Sequence, residues 1–596
     1  MSNLFFPRYL LKLQIMKITL SEGKVHIGLA LAGGLTAGAY TAGVLDYLFN
    51  TLVLWQERFD KDETGEIPVP NVVIDAMTGS SAGSIAGAVA LLGLATGKIN
   101  TPLNRDVNSQ QYNSILFDKI NTADNLLYYA WVDMGLPANE KITDKLLSDS
   151  DLKDKKVRSL LNANFIEELL ERIIKRVENA TIKMPEYINP DIEILMTLSN
   201  LRGISVDLGI ADKNGGEGQI MSYHKAFAHF KHQKKEDGTP SRYLSLNFDN
   251  MKEVHRLLTC ARASGAFPIG LKGVRIIDIP KGYIDENLKE VFKGVENFKI
   301  FGTDDDYEFL AVDGGMTNNE PIAEVQRILD DFEARRSGVS EGDEVVDGRN
   351  PIILVDPFPS RRMGDNTHDI NKDGVSEILS PLYQTLRNQT LFKEKDLLDL
   401  LDEDSYKAMI LPMRENGGSS RNAIASGALD GFAGFLDRDY RLHDYMLGMK
   451  NCQDFLRNCF YQPYEEAIQN EEKWGNAKQK YRDHFKFKDK TGNDKLPIIP
   501  DFRTYEQETD GQLNIVFQNV EDTMIDFPRK AIDDIMLPDL EQKIKSRVGK
   551  VLKILAKDLD LAWWYRGIAV NILKKRASEY VINAIEDGLK KQGLIK

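Results

Sequence analysis

The stretch from Val72 to Gly83, VVIDAMTGSSAG, constrains this chain more than any other. Val72, Val73 and Ile74 are β-branched and read as a buried strand. From Ala82 to Ala95 the residues are small or apolar, without proline, and read as a helix. Between them Gly79-Ser80-Ser81-Ala82-Gly83 spells G-x-S-x-G. A chain that turns from strand to helix this sharply needs side chains to vanish on both sides of the turn, hence Gly79 and Gly83. The turn lifts Ser81 out of the sheet at a helix N-terminus, where amide dipoles favour developing negative charge. Ser81 is the candidate nucleophile. The same pattern recurs at Gly338-Val339-Ser340-Glu341-Gly342, inside a charged run with neither strand nor apolar helix beside it. That copy reads as a solvated loop.

The rest of the chain sets bounds. Its 596 residues have the length of roughly three to four domains. A net charge of −14 argues against nucleic acid as a partner. Cys260, Cys452 and Cys459 contain no C-x-x-C pair, which excludes a disulfide framework and a zinc-site spacing. Residues 1–23 are mildly apolar, but Arg8 and Lys12 interrupt them and no small-residue cleavage site follows, so they read as an extension and not a signal peptide. No run approaches the roughly 18 apolar residues of a membrane span. The expectation is a cytoplasmic protein, peripheral at most to a membrane. Residues 541–596 carry 13 Lys/Arg against 6 Asp/Glu, leaving −21 on the remainder.

Strand-like runs at 25–32, 191–199, 243–248, 308–312 and 352–355 alternate with helical stretches, the pattern of an α/β domain with a largely parallel sheet. Residues 100–185 are polar and helical and read as an insertion, with NFIEELLERIIKRVENA as the clearest helix. The stretch 361–596 reads as a mainly helical extension.

Ser81 needs a base and donors for an oxyanion. Gly33, Gly34 and Gly38 follow the first strand and open a helix, as loops that present backbone N–H groups to an anion do. A dinucleotide fingerprint fails because Leu35 and Thr36 follow the glycine pair, and a phosphate-binding P-loop fails because Ala39 and Tyr40 replace its Lys and Ser/Thr. None of the eight histidines lies in a site-like turn. The sharper candidate for a base is Asp313, at a strand end and followed by Gly314 and Gly315, since open α/β sheets build sites at strand C-termini.

Glycine loop, G-x-S-x-G and D-G-G, in this order and each at a strand end, resemble the patatin-like phospholipases. TLSNLRG (197–203) and ARASGAFP (261–268) look like core segments of that family. The resemblance covers roughly residues 24–360. It implies a three-layer α/β domain and a serine acyl hydrolase with a Ser-Asp dyad and no histidine. Ser81 would then be the nucleophile, Asp313 the proton acceptor, and Gly33 and Gly34 part of the oxyanion loop. An acyl lipid would be the substrate, with no cofactor. An aspartate with a pKa near 3.9 in water is a poor base for a hydroxyl, so desolvation would have to raise it.

Two departures stand out. Ala32 replaces the family loop's first glycine, and Ala37 its basic residue, which puts head-group recognition and part of the oxyanion stabilisation in question. Thr36 could donate a hydroxyl instead. Residues 426–456 also resemble a segment downstream of the core in some bacterial members, read here as a packing helix. DINKDGVSEIL (369–379) begins like a calcium loop but lacks the bidentate Glu at its end, so no metal site is expected. Trp563, Trp564 and Tyr565 ahead of Lys574, Lys575 and Arg576 would suit an anionic membrane surface, or a helix packed on the catalytic domain. Two other functions stay open: a Ser-His-Asp esterase using His368, His443 or His484, and a catalytically weak lipid-binding or scaffolding protein.

Overall fold

The computed structural model describes residues 24–60, 71–99, 125–137, 140–209, 220–232, 240–295, 298–303, 307–338, 350–358, 385, 407–414, 423–465, 485–489, 492–501, 504–509, 512–517, 527–531, 535, 538–558 and 563–595. The strands of the central sheet are β1 (Lys24–Leu31), β2 (Asn71–Gly79), β3 (Ile188–Asp207), β4 (Ile220–His232), β5 (Leu244–Leu246), β6 (Val274–Ile279), β7 (Lys299–Phe301), β8 (Tyr307–Asp313), β9 (Ile352–Val355) and β10 (Lys407–Ile410). The helices are α1 (Gly38–Asp60), α2 (Ala82–Ala95), α3 (Leu126–Trp131), α4 (Ile142–Leu146), α5 (Asn164–Val177), α6 (Met251–Ser264), α7 (Lys281–Val291), α8 (Ile322–Ser337), α9 (Arg438–Asn458), α10 (Pro538–Asp558) and α11 (Trp563–Gln592).

The sheet runs β10-β9-β1-β2-β3-β4-β5. Its first five strands are parallel, and β4 returns antiparallel to β3. Strands covered on both faces read as unbroken apolar runs, and β1 is buried from Val25 to Leu31. Ala30 and Ala32 pack with Val325, Ile328 and Leu329 of α8. Ile27, Leu29 and Leu31 pack into the larger core, which also holds residues of α1, α2, α6 and α9. Helix, sheet and helix make the three layers, as expected.

β3 positions the site. At 20 residues it outlasts β2, whose last residue, Gly79, pairs with Met196. Beyond that point β8 pairs with β3, antiparallel, with Asp313 against Leu198. The C-terminal ends of β2 and β8 therefore meet across Thr197.

The stretch 100–185 carries α3, α4 and α5, with all of α3 in the main core; residues 100–124 and 138–139 lie outside the described residues. The C-terminal region is largely helical, but it is no separate layer. It lends β10 to the sheet beside β9 and packs α9 onto α1 at backbone contact. A Cβ on Gly43 would lie 1.9 Å from the Tyr445 carbonyl oxygen, and one on Gly448 2.2 Å from that of Tyr40. The basic tail also has an internal partner. Buried Arg547 of α10 makes a bidentate pair with Asp151 at 2.6 and 2.8 Å, and Lys543 and Lys550 pair with Asp144 and Asp149. Much of the charge asymmetry is thus spent within the molecule. The side chains of Trp563, Trp564 and Tyr565, and residues 369–379, lie outside the described residues.

Candidate active site

Ser81 caps α2 with φ 50° and ψ −121°. A β-carbon disfavours that region, at a cost of order 1–3 kcal/mol that the surrounding packing must hold in place. The glycines make the turn possible. A Cβ at Gly83 would lie 2.1 Å from the Leu31 carbonyl oxygen, and one at Gly79 2.7 Å from the Ser84 nitrogen. The elbow is anchored from α6: the Ser81 N–H donates to Ser264 Oγ at 2.9 Å, and that hydroxyl shares a 2.8 Å hydrogen bond with Ser84 Oγ.

Asp313 comes from the opposing strand end. Its N–H donates to the Ala266 carbonyl at 3.0 Å, and its carbonyl accepts from Ser199 Oγ at 2.8 Å. The Gly315 N–H holds Oδ1 at 2.8 Å. Oδ2 accepts the Ser81 hydroxyl at 3.2 Å, long for an O–H···O bond but typical of a nucleophile–base pair without substrate. Gly314 lets β8 close on β3, since a Cβ there would meet the Thr197 carbonyl oxygen at 2.1 Å. Ser81 and Asp313 are both buried.

The glycine loop lies against this pair. A Cβ on Gly33 would sit 3.0 Å from Ser81 Cβ and 2.5 Å from Asn319 Oδ1, while one on Gly34 would press on Pro357 at 2.7 Å. Among the described residues, the N–H groups of Gly33, Gly34 and Ala82 donate to no backbone acceptor. Thr36 is not their helper. Its hydroxyl donates to the Gly431 carbonyl and accepts the Gly434 N–H at 3.1 Å, so its proton faces the C-terminal segment. Ala37 is fully buried, its N–H bonded to the Gly34 carbonyl at 2.9 Å. The carboxyl pKa of Asp356, which directly follows β9, is pushed up to about 7 by burial, against a hydrogen bond from the Phe358 N–H.

Sequence reading missed Ser264, Thr197 and Asn319 as parts of the site. The first two lie in the segments ARASGAFP and TLSNLRG, and Asn319 follows the D-G-G turn closely. Of the histidines weighed as bases, His443 bonds Asp444 at 2.8 Å on α9, and His368 and His484 lie outside the described residues. Among the described residues no group of three or more His, Cys, Asp or Glu could hold a metal ion. No helix among them is long and apolar enough to cross a membrane.

Residues 29–325 match the patatin-like phospholipase family. The uncharacterized protein y4iI of Sinorhizobium fredii is 29% identical over 477 residues, 73% of this chain and 65% of that protein, so the chain spans just under two thirds of the relative's length. VipD from Legionella pneumophila, a solved structure, aligns over 96% of this chain and 91% of its own at 12% identity. Its TM-score of 0.21 supports no argument. Taken with the meeting of strand ends at Thr197, the family match shows that residues 29–325 form a patatin-like phospholipase domain.

Proposed function

We propose that this protein hydrolyses acyl esters of lipids through a Ser81–Asp313 dyad. The observation that carries the reading is the 3.2 Å hydrogen bond from a strained, elbow-borne serine to a buried carboxylate. Ser81 Oγ attacks the ester carbonyl carbon while its proton passes to Asp313 Oδ2. The carbonyl π pair moves onto oxygen, where the N–H groups of Gly33 and Gly34 receive the charge. Collapse of the tetrahedral adduct breaks the C–O bond, and the departing alcohol takes the proton from Asp313. Water then gives a proton to Asp313 as its oxygen attacks the acyl-enzyme, and release of the fatty acid returns that proton to Ser81. Losing one oxyanion donor in other acyl-transfer enzymes costs about 3 kcal/mol. Gly315 keeps Oδ1 occupied, which leaves Oδ2 to the hydroxyl.

Contact with an anionic membrane is part of the proposal. It is supported by α11, where Lys575 and Arg576 are exposed beside Leu573.

The test is hydrolysis of p-nitrophenyl acyl esters by the wild type, Ser81→Ala and Asp313→Asn. Loss in both variants is expected. Activity that survives Asp313→Asn would turn attention to the histidines. Vesicle binding without turnover by the wild type would favour the lipid-binding alternative.

A further inference from the structure

Between Ala32 and Gly38 the loop beside Ser81 carries one polar side chain, that of Thr36. Leu35, directly after Gly34, has φ 48°, a region that a β-carbon disfavours. What fixes this loop comes from the far end of the chain. The Thr36 hydroxyl donates to the Gly431 carbonyl and accepts the Gly434 N–H. Gly431, at φ 100°, brings its backbone onto the loop: a Cβ there would lie 3.2 Å from the Gly34 carbonyl oxygen and 3.2 Å from Leu35 Cβ.

The gripping segment is itself strained. Leu429, Asp430 and Gly431 follow one another at φ 57°, 53° and 100°. Residues other than glycine persist in that region when their surroundings over-determine them, and α9 and α11 do so here. Asp444 of α9 is fully buried. Its two carboxylate oxygens accept the Ala425 N–H at 2.6 Å and the Ser426 N–H at 2.8 Å. These are the first N–H groups of a helical turn, which offers them no partner of its own, and bonds to a carboxylate are the stronger kind. From the other side Gln592 of α11 donates to the Ile424 carbonyl at 2.9 Å. Gly588 lets α11 close on Leu429, since a Cβ there would lie 2.5 Å from Leu429 Cδ2.

Arg441 fixes the end of the segment. It is buried on α9, three residues before Asp444 and so on the same face. Its guanidinium donates to the Gly434 carbonyl, to the Asp437 carbonyl at 3.1 Å and to the Val132 carbonyl at 2.9 Å. Val132 follows α3, whose Trp131 ring lies 2.2 Å from where a Cβ on Gly38 would stand. Buried charges stabilise a fold no better than well-packed apolar groups. What this carboxylate and this guanidinium give is a fixed backbone position.

We propose that Asp444 and Arg441 are positioning residues for ester hydrolysis: through residues 424–434 and Thr36 they hold the Gly33 and Gly34 N–H groups where the oxyanion forms, a role that rests on the ester-hydrolase reading of Ser81 and Asp313. The stretch 426–456, which the sequence presents as a packing helix, thereby takes part in the chemistry.

The experiment measures kcat and KM for p-nitrophenyl butyrate, and Ki for a trifluoromethyl ketone of the same chain length. The ketone's hemiketal with Ser81 would place a negative oxygen at the same N–H groups. The proteins are the wild type, Thr36→Val, Asp444→Asn, Arg441→Lys, and each of the last two combined with Thr36→Val. In Asp444→Asn kcat should fall about 10- to 100-fold, with KM changed by less than about twofold. Arg441→Lys keeps the charge but not the fork, and should lose less; it carries the comparison if Asp444→Asn does not fold. Ki should rise by the factor by which kcat/KM falls. A variant that merely lowers the folded fraction would lose kcat without moving Ki. Combined with Thr36→Val, each change should cost well under the product of the single losses, because both act through that hydroxyl. An unmoved Ki in the single variants, or losses that multiply with Thr36→Val, would overturn the proposal and leave the hydrolase reading intact. If the wild type neither turns over the ester nor binds the ketone, the hydrolase reading fails and this role falls with it.

Discussion

Replacing Gly448 by alanine tests whether the chain beyond residue 325 is part of the domain's core. In an ordinary helix interior the change stabilises by about 0.8–1.0 kcal/mol, because alanine has the higher helix propensity. The structure predicts the opposite sign. The new methyl would lie 2.2 Å from the Tyr40 carbonyl oxygen and 3.0 Å from the Val44 nitrogen, both backbone atoms that cannot rotate away. A carbon–oxygen contact of about 3.3 Å requires α1 and α9 to part by roughly 1 Å. Overpacking of this kind costs about 1–3 kcal/mol. The separation also loosens three buried hydrogen bonds across the same seam: Tyr445 to Asp46 at 2.6 Å, Gln453 to Tyr47 at 2.6 Å and Tyr40 to Asn451 at 3.1 Å. Each contributes about 1 kcal/mol. With the propensity gain subtracted, Gly448→Ala should destabilise by about 2–4 kcal/mol. Urea unfolding followed by circular dichroism measures it, with Gly87→Ala as comparison. At Gly87 the nearest group is the Leu31 Cδ1 methyl at 3.2 Å, which can shift, so that variant should stay within about 1 kcal/mol of the wild type. A Gly448→Ala protein as stable as Gly87→Ala would refute the close crossing of α1 and α9.

Three further outcomes follow from the same structure. Thr36→Val removes the hydroxyl that joins the glycine loop to Gly431 and Gly434; kcat for ester hydrolysis should fall with KM little changed, and Thr36→Ser should restore it, whereas equal loss in both variants would contradict a positioning role. Burial holds the Asp356 carboxyl near 7, so the folded protein keeps a proton that the unfolded chain releases above about pH 4. Stability from this group is full below that point and is lost as pH rises to about 7, by at most about 4 kcal/mol. Asp356→Asn should therefore melt higher than the wild type at pH 8 and alike at pH 4, and parallel profiles would contradict this. Replacing Lys575 and Arg576 together by Gln should weaken binding to phosphatidylserine vesicles roughly 30-fold, at about 1 kcal/mol per residue, and undiminished binding would remove α11 from the proposed membrane contact.

What the sequence disclosed, and what it hid, follows from where the signals are local. β1, β2 and β9 were legible because central strands must be apolar on both faces, and Gly79 and Gly83 because the elbow tolerates no Cβ. β4 and β6 were not, since they expose one face to solvent: Arg275, Ile277 and Asp278 of β6 are exposed between buried neighbours. The strand Lys407–Ile410 was hidden for another reason, being four residues inside a stretch whose sequence reads as mainly helical. In the site, Ser81 and Asp313 each carry a glycine signature in their own turn. Ser264 reaches Ser81 across 183 positions, and Gly431 reaches Thr36 across 395. Only tertiary structure holds such pairings. The basic tail misleads when read alone, because Arg547 and its neighbours answer to Asp144, Asp149 and Asp151 far upstream.

The most direct test of the central claim is covalent labelling with a fluorophosphonate, which phosphonylates an activated serine, followed by peptide mass spectrometry. One label is expected, on Ser81, formed on the wild type, absent from Ser81→Ala and formed far more slowly on Asp313→Asn. A label on another serine, or labelling of Ser81 at the same rate without the Asp313 carboxylate, would contradict the dyad.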